Sequence, residues 1–84
     1  MVYSRMVSEA LATARAAMLS CGAIDVLAKA VEIMERFIGG RAVEEELEDA
    51  VILLLEAAEE AKARGCLDWY RVEEAARILE QALG

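Results

Sequence analysis

Apolar residues recur every three or four positions along nearly the whole chain, and the pattern breaks at glycine. The first run gives Tyr3, Met6, Val7, Ala10, Leu11, Ala14, Ala17 and Met18. The second gives Leu27, Ala30, Val31, Met34, Phe37 and Ile38, and the third Val43, Leu47, Ala50, Val51, Leu54, Ala57, Ala58 and Ala61. The fourth gives Trp69, Val72, Ala76, Leu79 and Leu83. Such spacing gathers apolar side chains on one face of a helix. Gly22, the Gly39-Gly40 pair, Gly65 and Gly84 stand where these runs stop, as expected of residues that close a helix C-terminus.

The pattern predicts helices over residues 3–20, 24–38, 42–64 and 68–83. Asp68 is placed to cap the fourth, its carboxylate accepting from free first-turn amides. Glu44, Glu45 and Glu46 suit the positive end of the third helix, and Lys62 and Arg64 its negative end. Only a few residues separate consecutive helices, so neighbours must run antiparallel. The expected fold is all-α, a single domain over residues 1–84. It is a four-helix antiparallel (up-down-up-down) bundle built from two helical hairpins.

Two outer faces do not fit a lone bundle. In the first helix the side away from the core carries Ala12, Ala16 and Leu19, and the only charges in the helix are Arg5, Glu9 and Arg15. In the third, the uninterrupted apolar stretch 50–55 places Leu53 and Leu55 on the two flanks of the stripe. Ile52 falls nearly opposite the stripe, among Glu45, Glu48 and Glu59. Single exposed apolar residues are common on monomers. Here they accompany 58% hydrophobic residues in only 84 and a mean hydropathy of +0.34, and a domain this small has much surface to cover. Full burial of one leucine or isoleucine contributes about 1.5–3 kcal/mol. The expected interface of a homo-oligomer is therefore Ala12, Ala16, Leu19, Ile52, Leu53 and Leu55.

Charge narrows the choice of partners. The net charge of −7 repels phosphate backbones and anionic membrane surfaces, and no cluster of lysine or arginine offsets it, so neither nucleic acid nor membrane is an expected partner. The longest uncharged run, residues 16–24, is too short to span a bilayer. No leader pattern opens the chain, so a soluble, cytoplasmic setting is expected.

Composition also excludes chemistry. Without histidine there is no serine or cysteine triad, no Glu-x-x-His di-iron motif and no ordinary zinc site. No phosphate loop or calcium loop is present. The carboxylate runs "VEEELED" and "EAAEEAKARG" lie on the polar arc of the third helix, where a solvated face, not a desolvated acid–base pair, is expected. No catalytic residue, cofactor, metal or small-molecule ligand follows.

Cys21 and Cys66 stand beside Gly22 and Gly65, in the first and third inter-helix turns. An up-down-up-down bundle brings those turns to the same end. Either a disulfide closes a long loop there, or two reduced thiols pack as small apolar groups. Neither has a Cys-x-x-Cys partner that would suggest a redox switch. Trp69 and Tyr70, just after Asp68, read as a lid over the end of the core, or as an exposed aromatic hot spot.

"AVEIMERFIG" (30–39) and "AARILEQALG" (75–84) echo one another, and in that respect resemble tetratricopeptide-like helical hairpins. The regular glycine stops, the dense alanine, leucine and glutamate, and the absence of proline, histidine and asparagine resemble a computationally designed (de novo) helical bundle or oligomer. That resemblance implies a non-catalytic, self-associating scaffold. The two cysteines, the seven arginines against two lysines and the uneven surfaces resemble instead a small hyperthermophile protein, which implies a helical adaptor or regulatory protein-interaction module.

Overall fold

The computed structural model describes residues 3–84. Four helices follow in order: α1 (Ser4–Cys21), α2 (Asp25–Ile38), α3 (Glu44–Ala63) and α4 (Trp69–Leu83). Each packs on two others, in the ring α1–α2–α3–α4–α1, so α1 and α3 occupy diagonal positions and so do α2 and α4. With turns this short, this is an antiparallel four-helix bundle, 36 × 20 × 17 Å in extent.

Periodicity decides what is inside. Val7, Ala10, Leu11, Ala14 and Ala17 of α1 are buried, and so are Leu47, Ala50, Val51, Leu54, Ala57, Ala58 and Ala61 of α3. Leu27, Ala30, Val31 and Met34 of α2 meet Val72, Ala75, Ala76, Leu79 and Ala82 of α4 in the same core. Among the described residues eleven of the twenty-two buried ones are alanine, and no polar or charged residue is buried. Small side chains let helix axes approach closely, but each contributes little more than a methyl group of burial. This core is tight and low in hydrophobic energy.

Three residues expected in the core are exposed: Tyr3, Ile38 and Val43. Tyr3 is the residue before α1, Val43 the residue before α3, and Ile38 the last of α2. All three lie at one end of the bundle, where the apolar period continues past the point at which a neighbouring helix could cover it. Asp68 precedes α4 but makes no side-chain capping bond. Its φ of −93° and ψ of 16° depart from the extended conformation that aims a capping side chain back at the helix. Its carboxylate lies instead 3.6 Å from Arg71 Nε.

The turns at the other end are tied together. A disulfide joins Cys21 to Cys66, with Cα atoms 5.4 Å apart. Beside it Arg64 Nη1 donates to the Ala23 carbonyl at 2.9 Å, while Arg64 Nη2 holds Glu60 at 2.5 Å. Gly22 makes the first turn possible, because φ of 81° with ψ of −163° is a region essentially closed to residues with a Cβ.

The two hairpins resemble each other beyond the paired glycine endings. The cysteines are 45 residues apart, and the buried set Leu27, Ala30, Val31, Met34 recurs at the same spacing as Val72, Ala75, Ala76, Leu79. The buried set Val7, Ala10, Leu11, Ala14, Ala17 recurs in order as Leu47, Ala50, Val51, Leu54, Ala57. The two hairpins thus carry the same buried pattern, and the disulfide joins residues that correspond in the register relating α2 to α4.

Candidate interaction surfaces

The outer face of α1 forms because the core stripe takes only one side of the helix. Ala12 is exposed, Ala16 is partly covered, and Leu19 is 90% exposed. Leu19 borders a shallow groove between α1 and α2, with Met18, Val31, Arg15 and Glu35. Arg15 and Glu35 form an ion pair across it. Of the four neighbouring helix pairs, α1 and α2 pack most sparsely. The residues three and four positions from Leu19 are Arg15, Ala16, Gly22 and Ala23, so no carboxylate flanks it on its own helix.

The outer face of α3 has a different character. Ile52 is 58% exposed and Leu55 43% exposed. The helix-surface neighbours of Ile52 are Glu48, Asp49, Leu55 and Glu56, all exposed. Leu53 does not belong to this face. It is half-buried against the core, on the α2 side, with Ile33, Lys29 and Arg36. Its helical position lies across the core stripe from Leu55, and Leu55 falls on the α4 side.

The six expected interface residues are therefore not brought together. Ala12, Ala16 and Leu19 face one way, Ile52 and Leu55 face the opposite way across the bundle diagonal, and Leu53 serves its own chain's core. A helical wheel gives directions within one helix; the orientation of one helix against another comes from the ring of contacts.

Sequence reasoning passed over Leu67, which is 89% exposed in the turn between Cys66 and Asp68. The available signal was a leucine placed among turn residues, outside any helical stripe. Tyr70, the second residue of α4, is also exposed, and Trp69 packs partly against the core. Lys62 Nζ lies 4.2 Å from the centre of the Trp69 ring, a cation–π contact joining α3 to α4.

The polar side chains form surface pairs. Arg36 reaches Glu46 across α2 and α3 at 3.6 Å, Lys62 meets Glu59 at 3.6 Å and Arg77 meets Glu73 at 3.6 Å. The Lys62–Glu59 and Arg77–Glu73 pairs, on the helix surface, contribute about 0–1 kcal/mol each, whereas Arg36 and Glu46 are half-buried. The Tyr70 hydroxyl, and after it Asp68, push the Arg71 guanidinium above its already high range, so it is a fixed cation. Among the described residues no group of three or more metal-ligating side chains converges. Both sulfurs are committed to each other. Among the described residues no helix is long and apolar enough to cross a membrane.

No protein-family model, curated protein or solved structure matches the chain.

Proposed function

We propose that this chain is a non-catalytic helical module that works by associating with copies of itself. The observation that carries the reading is Leu19, 90% exposed beside a mostly apolar groove, while Ile52 and Leu55 stand uncovered on the far side. Burying Leu19 and Ile52 in full would contribute about 1.5–3 kcal/mol each, set against the entropy lost on association. The regular build that resembles a designed oligomer points the same way. The lack of histidine, the solvated carboxylates and the bonded cysteines all speak for binding and against catalysis.

The test is the mass in solution. Light scattering over a wide concentration range should give more than one chain per particle. A strict monomer at the highest concentration reached would remove this reading.

A second reading, a helical adaptor for a foreign protein, is favoured by Leu67 and Tyr70. They are exposed at the disulfide end, away from the middle of both outer faces. An adaptor retains one stoichiometric partner in a pull-down from its source cells, whereas a self-associating scaffold retains only itself.

A further inference from the structure

Charge is distributed very unevenly over the four helices. Helix α3 carries eight carboxylates and one lysine. Helix α1 carries two arginines and one glutamate, and is the one helix with a positive balance. Helices α2 and α4 each carry three carboxylates against two cations. Away from the helix ends and turns, the uncovered large apolar residues of the two diagonal helices lie on the two extremes of this distribution, Leu19 on α1 and Ile52 with Leu55 on α3.

A two-fold pairing of α3 with α3 would set Glu48, Asp49 and Glu56 of one copy against the same carboxylates of the other. Like charges brought together at a closing interface oppose association. The α3 face thus needs a partner that is apolar but not acidic. The α1 face comes nearest to that composition: Ala12, Ala16 and Leu19 lie among Arg5, Arg15, Glu9 and Glu35, two cations against two carboxylates. Because α1 and α3 are diagonal in the bundle, these two faces point in opposite directions. A contact between two different patches on opposite sides does not close on itself, so it repeats from copy to copy.

We infer that the α1 face of one copy, centred on Leu19, docks against the α3 face of the next, centred on Ile52, so that copies assemble head to tail into an open chain. This rests on the self-association reading and specifies its geometry. One kind of contact covers both faces, and each interior copy in the chain uses both. Helices α1 and α3 are each the first helix of a hairpin and sit on the same diagonal, and they differ in charge.

Complementation between two blocked faces tests the inference. Leu19→Glu blocks the α1 face and Ile52→Glu blocks the α3 face. Both positions are exposed, and circular dichroism melts check that both variants fold. Should either melt early, the glutamine variant at that position replaces it. Sedimentation equilibrium is run on the wild type, on each variant and on their equimolar mixture.

The wild type should show a mass that climbs with concentration beyond two chains. Each variant alone should fall to the mass of one chain. The mixture should give particles of two chains and no more, because it holds one working α1 face and one working α3 face. Association retained by Ile52→Glu but lost by Leu19→Glu would mean that α1 pairs with itself, and would overturn the inference. The reverse pattern would overturn it through α3 pairing with α3. A mixture that stays at one chain while the wild type assembles would also overturn it. A wild type that remains a single chain would instead defeat the self-association reading beneath it.

Discussion

Removing the Cys21–Cys66 bond should cost this protein a large share of its stability. The bonded residues are 45 apart in sequence. In the chain-entropy model a loop of that length lowers the entropy of the unfolded chain by about 13 cal/mol/K, or about 4 kcal/mol at 25 °C. Small domains are stable by roughly 0.05–0.15 kcal/mol per residue, which for 84 residues is about 4–13 kcal/mol. The bond thus supplies a third or more of the total, which accords with a core half made of alanine. At about 4–8 °C per kcal/mol for a domain of this size, Tm should drop by about 15–30 °C. The measurement compares circular dichroism melts of the oxidised protein, the protein in excess dithiol reductant, and the Cys21→Ala/Cys66→Ala variant. A thiol titration confirms full reduction. Urea melts should also show a larger m-value without the bond, because the opened unfolded chain exposes more surface. The Arg64–Ala23 hydrogen bond links the same two turns without involving the sulfurs. A Tm change below about 5 °C in the fully reduced protein would refute the loop-closure reasoning.

Leu54→Ala, at a fully buried core position, should destabilise by about 2–5 kcal/mol in urea melts. Gly22→Ala should cost about 1–3 kcal/mol from backbone conformation alone, since no other atom lies within 4 Å of the added Cβ; an unchanged midpoint would contradict the turn described here. Ala14→Leu should destabilise by about 1–3 kcal/mol, because Ala14 is fully buried and extra methylenes forced into a packed core strain it. Ala12→Leu, on the exposed side of the same helix, should leave the monomer within about 0.5 kcal/mol of wild type.

Much of the fold is legible in the residue order. The stripes Val7 to Ala17 and Leu47 to Ala61 set the buried faces of α1 and α3, and glycine marks where each helix gives out. The ends are less legible. Tyr3, Ile38 and Val43 keep the apolar period, yet they lie where no facing helix remains to cover them. Asp68 has the composition of a cap, but its backbone angles turn the carboxylate toward Arg71. The cysteine positions allow both a bond and two thiols, and the choice depends on the 5.4 Å between Cα atoms. For the interaction surfaces, the exposure of Leu19 and Ile52 follows from their place on the wheel. That the two look away from each other does not, because it depends on which helices share the diagonal.

The crosslink at one end of the bundle also decides how the molecule behaves as a mechanical element. Tyr3 and Gly84 lie at the opposite end, so a force applied there peels α1 and α4 back toward the bond and stops. Only about 40 residues are available to extend, and at about 3.5 Å each they yield at most roughly 140 Å of slack. Cutting the sulfur–sulfur link would about double that reach. In a string of such units under tension, oxidation would set the length at which each link goes taut, with α2 and α3 shielded from the load.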